Sequence, residues 1–329
     1  MTNSMKLPVL ARVLAAALLV LFLSATYAQP AGYPNRSIRV IVPAGSGDSC
    51  DILSRLVAQR MSERLGQPLV IDNRAGSSGQ LGLMMIKQAA PDGYTLGCGQ
   101  GGSMVIVPLA YSKVGYDSVR DFAPVALMAS NFLALAVSPR FAVNSTQELI
   151  AYAKANPGKV TFGTNGEGAF LHFATEQFRL MAGFDYLHVA YRSMAAVFTD
   201  MLAGQINATL ASYISAQPLA AGGKIRILGI ARAQRLPELP DVPTLAEAVP
   251  GFTSGGWFGL IAPAGTPRDI VNLLNREANL ALSSPEVSER MKTLGLESHG
   301  ESPEAFARLI QEDFANWGKV VTQIGFKPL

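Results

Sequence analysis

The chain has 329 residues, 49% hydrophobic, 16% charged and 8% aromatic, proportions that exclude a disordered, collagen-like or disulfide-stapled chain. At that length a sizeable core can form, and a prior of ~100 to 200 residues per domain favours two lobes over one. The formal charge is +3, and no Lys/Arg run supplies the phosphate-neutralising stripe that a nucleic-acid binder needs.

Residues 1–28 read as a secretory signal peptide. Lys6 and Arg12 flank the start of the apolar run Val13 to Leu23, and Thr26 and Ala28 put small side chains at the two positions a signal peptidase reads. The run is shorter than the ~20 residues of a permanent spanning helix, so cleavage after Ala28 is expected, with an uncleaved short anchor as the alternative. No Cys follows the run, which excludes lipid attachment there. Cleavage removes two basic residues and no acid, taking 27 basic residues to 25 against 24 acidic, a net charge of +1. The mature chain has no comparable apolar stretch and is expected to be soluble and exported.

From Ser37 onward, short β-rich runs alternate with amphipathic helical stretches, the pattern of α/β lobes on mostly parallel sheets. Ser37 to Pro43 reads as a buried strand, and Asp51 to Leu65 as a helix with Ile52, Leu53, Leu56, Val57 and Met61 on one face. A strand over Leu69 to Asp72 leads into a Gly/Ser-rich loop from Ala75 to Gly79. The helix from Gln80 to Ala89 stops at Pro91, Asp92 and Gly93, and Tyr94 to Gly97 forms a third strand.

A second unit of the same kind follows. Helix Glu148 to Ala155 breaks at Asn156, Pro157 and Gly158, and strand Val160 to Gly163 ends in the glycine-rich turn Thr164 to Gly168. Helix Phe170 to Met181, strand Tyr186 to Ala190, helix Ala195 to Ala203, and strands near Ile206 to Leu210 and Ile225 to Ile230 complete it. After the proline-rich stretch Leu236 to Pro250 come strand Trp257 to Ala262 and helices around Arg268 to Ser283 and Pro303 to Gly318. Crossings near Ala129 and Phe252 divide the chain into lobe 1, residues 29–128 with 253–329, and lobe 2, residues 129–252. A double crossing makes a hinge.

The most informative segment is the strand, turn and helix from Val42 to Arg55. Gly45 and Gly47 let the backbone turn sharply, so N–H groups at the helix start face outward and can hold an anion. Gly45, Ser46 and Gly47 also open a G-x-G-x-x-G dinucleotide pattern, but Cys50 stands where a third small residue should let the helix pack closely. Asp51 favouring the helix start explains the turn as well as a ligand contact does. A similar turn recurs at Phe162 to His172. Two such turns facing each other across a hinge would form one cleft, where open α/β sheets bind ligands.

Catalytic readings fare worse, and no catalytic residue is assigned. There is no G-x-S-x-G nucleophile elbow. His172 reads as a helix-packing histidine bonded to backbone, and His188 as buried and satisfied. Tyr191 and Arg192, just past a strand end, are candidates for the cleft, and Arg192 suits a ligand carboxylate or surface acids equally. The three histidines and two cysteines fall at no metal-ligand spacing, so neither metal nor cofactor is expected. In an oxidising compartment Cys50 and Cys98 are a candidate disulfide.

The matching text includes Tyr33, Pro34 and Ile38 to Pro43; Asp51, Ile52, Leu53 and Arg55; Asn73, Arg74 and Gly76; and Pro91 to Leu96 (PDGYTL). It continues through Tyr116, Asp117 and Asp121 to Val125 (DFAPV); Gly163, Gly166, Gly168 and His172; His188 and Tyr191; Leu239 to Thr244; and Trp257 to Pro267 (WFGLIAPAGTP). Together these residues resemble the extracytoplasmic receptors of tripartite tricarboxylate transporters, the TctC or Bug family, over essentially the whole mature chain.

The resemblance implies a type II periplasmic binding protein-like α/β fold, two lobes with a ligand cleft and two interlobe crossings. Such a protein captures a small carboxylate in the periplasm by hinge closure and delivers it to the transporter's membrane permease; here it is expected to act as a monomer. Carried onto this chain, the ligand's carboxylate is held by backbone amides and bridging water. The implied residues are Ala44, Gly45, Ser46 and Gly47, with Asp51 behind them, and Thr164, Asn165, Gly166, Ala169 and Phe170 opposite. Gly99, Gly101, Ser103 and Tyr191 line the rest.

The chain departs from the family where consecutive glycines are usual, with Gly47, Asp48 and Ser49, and Asp48 would repel an anion if it faces the cleft. Ala169, Phe170 and Leu171 replace mostly polar residues, and Ala211 stands where Asp is common. These departures point to a less polar ligand, an aromatic or short-chain carboxylate rather than citrate. A 2-1-3 strand order brings Cys50 and Cys98 to one sheet edge, as a disulfide or as two separately buried small hydrophobes; Cα atoms more than ~7 Å apart would exclude the bond. The other functional reading is a secreted hydrolase or nucleotide-binding enzyme using the glycine turn, against which stand the defective fingerprint and the lack of obvious catalytic groups.

Overall fold

The computed structural model describes residues 32–237 and 239–329; the expected signal peptide and cleavage site lie outside them. In chain order the first unit contains β1 (Ile38–Val42), α1 (Ser49–Leu65), β2 (Leu69–Asn73), α2 (Gln80–Lys87) and β3 (Thr95–Gln100). A π-helical turn, Gly102–Ile106, runs into α3 (Val107–Ala110), and β4 (Phe122–Asn131) leads to the crossing. The second unit holds β5 (Leu133–Val137), α4 (Thr146–Ala155), β6 (Thr161–Thr164), α5 (Phe170–Ala182), β7 (Leu187–Ala190), α6 (Met194–Ala203), β8 (Ala208–Ser212), α7 (Tyr213–Ala221) and β9 (Arg226–Ile230). The chain then returns through β10 (Trp257–Pro263), α8 (Arg268–Leu282), α9 (Pro285–Thr293), β11 (Leu296–Ser298) and α10 (Pro303–Gln323).

Two sheets result, ordered β11-β4-β10-β3-β1-β2 and β7-β6-β8-β5-β9. Strand β1 lies parallel to both β2 and β3, and its apolar run is explained by burial on both faces. Ile38, Val40 and Val42 join Leu53, Val57 and Met61 of α1 and Leu274 of α8, whereas Ile41 points the other way, onto Leu83, Ile86 and Phe306. Each such fully buried aliphatic side chain contributes about 1.5–3 kcal/mol. Helix α1 starts two residues before the apolar periodicity predicts because Asp48 is its cap, accepting the Cys50 N–H at 3.1 Å.

The chain passes from β4 through Phe132 straight into β5, and returns along residues 253–256 into β10. The two crossing segments are bonded to each other: Asn131 N–H to Gly256 O at 2.8 Å, Leu133 N–H to Ser254 O at 3.1 Å, and Gly256 N–H to Asn131 Oδ1 at 2.7 Å. Gly255 is required here, since a Cβ would sit 2.1 Å from Asn131 O. Helix α10 packs on the first sheet and, with the residues that follow it, reaches the second unit, Trp317 edge-on to Phe170 at 5.3 Å and Phe326 edge-on to Phe173 at 4.8 Å.

Cys50 and Cys98 are disulfide-bonded, with Cα atoms 6.4 Å apart, and both are fully buried. Of the two arrangements left open by the sequence the bonded one holds, because β1 and β3 are neighbours and bring the start of α1 over the end of β3. Among the described residues no helix is long and apolar enough to cross a membrane.

Candidate functional site

The first turn is organised by Asp51, which is only 2% exposed. Its Oδ2 accepts the Gly47 N–H at 2.9 Å, and its Oδ1 accepts Arg55 Nε and Asn73 Nδ2, each at 2.9 Å. Burial alone would raise this carboxyl, but hydrogen bonds from Arg55, Gly47 and Asn73 outweigh it and hold the group below its ordinary range. Asp51 therefore shapes the turn from behind. With the Gly47 amide taken by Asp51 and the Cys50 amide by Asp48, those of Ser46, Ser49 and Asp51 have no acceptor among the described residues. They are free donors at the positive end of a 17-residue helix.

The second turn is held by two histidines. His172 Nδ1 accepts the Gly168 N–H at 3.0 Å, and His188 Nε2 lies 2.7 Å from the hydroxyl of buried Thr164, which donates to Gly166 O at 3.2 Å. The imidazoles stack 3.9 Å apart. Burial depresses both, His188 to about 4 with His172 beside it, so both are neutral at pH 7, as an Nδ1 acceptor must be. Ahead of α5 and in its first turn, the amides of Asn165, Gly166, Glu167, Phe170 and Leu171 lack an acceptor among the described residues.

Both turns open on one interlobe seam. Ser49 Oγ meets Ser212 Oγ at 3.2 Å, Asn131 Nδ2 donates to the same Ser212 hydroxyl at 2.6 Å, and Tyr111 OH donates to Glu167 O at 3.1 Å. A Cβ on Gly102 would stand 3.4 Å from Phe170 Cβ, and one on Gly166 would stand 3.9 Å from Ser78 Oγ. Solvent reaches Ser46, Gly47 and Asp48 on one side and Asn165 and Glu167 on the other. Asp48 is open to water, yet protein packs close enough around it to displace part of its hydration. That loss of solvation raises its carboxyl; the Cys50 N–H opposes the rise and the Asp51 charge adds to it.

The remaining sequence candidates take unequal places. Ala44 fixes the first turn through its carbonyl, which accepts Asn73 Nδ2 at 3.2 Å, and Ala169 is buried at the mouth of α5. Gly99 and Ser103 are packed inward, Gly99 against Met104 and Ile261, and Ser103 with its carbonyl bonded to Tyr116 OH. Gly101 sits beside the Trp257 indole. Tyr191 joins the turn by its backbone, N–H to Thr164 O at 2.9 Å, but its hydroxyl donates to Asp200 at 2.6 Å; burial and that carboxylate push it up to about 12. Arg192 next to it is exposed and has no side-chain partner among the described residues.

Sequence reasoning missed the loop after β2 as part of the seam. Gly76, Ser77, Ser78 and Gly79 take φ values of 146°, 47°, 53° and 91° in succession, and two serines in left-handed conformation carry strain that clusters at functional sites. The Gly/Ser run marked a loop, but nothing in it announced that the serines would be the left-handed residues. A separate trough of about 600 Å³ lies at the crossing, lined by Asn131, Ser254, Arg232, Gln177, Asp313 and Trp317 among others, and no residue of either glycine turn lines it.

Residues 53–326 match the model of the tripartite tricarboxylate transporter family receptor, TctC. The chain belongs to this family. A UPF0065 protein from the tcbD-tcbE intergenic region of Pseudomonas sp. (strain P51) is 36% identical over 315 residues, covering 95% of this chain and 94% of the relative. Among solved structures, Rpa4515 of R. palustris with adipate is 36% identical at a TM-score of 0.87, covering 90% of this chain and 100% of that one. MatC from Rhodopseudomonas palustris with bound malate is 31% identical at a TM-score of 0.81, covering 88% and 100%. The fold of this TctC-family chain is thus that of the periplasmic binding proteins. Among the described residues no group of three or more His, Cys, Asp or Glu could hold a metal ion.

Proposed function

We propose that this TctC-family chain is a periplasmic solute-binding receptor, exported by residues 1–28, that captures a small carboxylate between its two glycine turns. Closure of the lobes retains the ligand, and the closed monomer presents it to the permease of a tripartite tricarboxylate transporter. The reading rests on one observation: unsatisfied backbone N–H groups at the starts of α1 and α5 open onto the same seam. Such donors are fixed before the ligand arrives, so a carboxylate gains their bonds without ordering them. Contacts to both lobes favour the closed state over the open one. Adipate on Rpa4515 and malate on MatC support the same chemistry. No catalytic step forms part of this reading.

The chain has two tryptophans: Trp257 is buried in the core of the first unit beside Gly101, and Trp317 meets Phe170 at the seam. Intrinsic fluorescence therefore reports ligand entry. Titrating the mature protein with a panel of carboxylates is expected to give a saturable emission change and a matching rise in Tm, about 2.7 kcal/mol of stabilisation at 100 times Kd. A response to nucleotides with none to carboxylates would contradict the proposal and favour the enzyme.

A further inference from the structure

The trough at the crossing takes its lining from both units and from both crossing segments, and its volume of about 600 Å³ falls within the range usual for small-molecule sites, about 300–1,000 Å³. Part of the lining is one face of α10. Asp313, Asn316, Trp317 and Val320 recur at i, i+3, i+4 and i+7, which places them along one stripe of the helix, and all four line the trough. Asp313 is half-buried and accepts the Trp257 Nε1–H at 2.6 Å on one oxygen. It has no other hydrogen bond and no ion pair among the described residues. Burial raises its carboxyl, the Trp257 bond opposes the rise, and the Glu312 charge adds to it.

Two buried polar atoms belong to other residues of the lining. Ser254 is only 7% exposed, and its Oγ has no hydrogen-bond partner among the described residues. Arg232 lies over the Phe132 ring, 5.3 Å from its centroid, and pairs through Nη1 with Glu297, but its buried Nε–H has no acceptor. A buried polar atom without a partner costs stability, so both favour an occupant that bonds them. Charge narrows the class. Glu297 balances Arg232, whereas no cation among the described residues balances Asp313. An anion in the trough would meet that carboxylate where water is partly excluded, and a wholly neutral molecule would leave it unpaired. A bare metal ion does not fit, since no group of three or more His, Cys, Asp or Glu among the described residues could hold one. The indole of Trp317 instead suits an organic cation. We propose that the trough is a second ligand site, distinct from the seam between the glycine turns, for a hydroxyl-bearing organic ammonium such as an amino alcohol or amino sugar. Its ammonium meets Asp313, its carbon frame lies along Trp317, and its hydroxyls bond Arg232 Nε and Ser254 Oγ.

The experiment is isothermal titration of the mature protein, in an amine-free buffer, with ethanolamine and glucosamine, each compared with its uncharged counterpart, ethylene glycol and glucose. At least one amine is expected to bind, and about tenfold or more tightly than its counterpart. Asp313→Asn keeps an acceptor for the Trp257 N–H, so its Tm is expected to match the wild type while the amine weakens about tenfold and its counterpart does not. Ser254→Ala removes the unpartnered hydroxyl and is expected to weaken amine and counterpart alike. Silence of both amines at millimolar concentration, a counterpart binding as tightly as its amine, or an amine whose affinity Asp313→Asn leaves unmoved would overturn the proposal without touching the receptor reading. Loss of carboxylate binding in a folded Asp313→Asn variant would also overturn it, by making the trough part of the receptor cleft.

Discussion

Asp51→Ala is expected to lower stability by about 3–5 kcal/mol and to weaken carboxylate binding on the order of a hundredfold. Three close donors converge on that carboxylate, from the Gly47 backbone, Arg55 and Asn73, and Ala deprives all three of their acceptor. Arg55 is half exposed and regains water, but the Gly47 amide and Asn73 do not recover fully. The turn then loses the tie that fixes the neighbouring Ser46 and Ser49 amides, which is why affinity falls with stability. Asp51→Asn keeps an acceptor and is expected to recover part of both. Acid gives the same result without mutation. The folded-state carboxyl is depressed, so its stabilisation is whole above the unfolded value of ~3.9 and fades as pH falls through the folded value. Urea unfolding of the three proteins, at neutral pH and at successively lower pH, with titration calorimetry at neutral pH, checks each part.

The double substitution Cys50→Ala, Cys98→Ala is the second large effect. The bond closes a loop of 48 residues, for which chain entropy gives about 4 kcal/mol, within a usual range of about 2–5. Alanine avoids burying a hydroxyl where both sulfurs are wholly enclosed. The midpoint of denaturant unfolding is expected to fall accordingly. Binding is expected to fall by less than about tenfold, because the hydrogen bonds that hold Asp51 come from Gly47, Arg55 and Asn73 and none comes from either cysteine side chain. A variant as stable as the wild type would show that the crosslink contributes nothing beyond packing.

Much of this architecture is legible in the chain because burial on both faces leaves a clear mark. β1 is a continuous apolar run for that reason, and α1, α5 and α8 carry periodic apolar faces bounded by Gly, Pro or a capping Ser or Asp. What escaped is set by distant contacts. The stretch from Phe122 to Val137 is extended almost throughout, so periodicity cannot say where it leaves one sheet for the other; the sequence suggests Ala129, and the change occurs at Phe132. Helix α7 contains Pro218 and has no apolar face to betray it.

The two candidate turns were legible as turns to a similar depth. Glycine spacing marked both turns, and His172 and His188 take the structural roles their surroundings suggested, one bonded to backbone and the other to Thr164. The commitment of the Tyr191 hydroxyl to Asp200 depends on how α6 packs under β7, which no local pattern encodes. The loop that holds the left-handed serines at 77 and 78 ends on a contact no local pattern encodes, Gly79 against Ser103, whose Cβ lies 2.8 Å from where a Cβ of Gly79 would stand.

The most direct test is a crystal structure of the mature protein grown with whichever carboxylate binds in titration. The account predicts carboxylate oxygens within about 3 Å of the Ser46 or Ser49 amide on one lobe and of the Gly166, Phe170 or Leu171 amide on the other, directly or through one water. Density for the ligand in the trough beside Asn131 and Trp317, with both glycine turns unengaged, would contradict it.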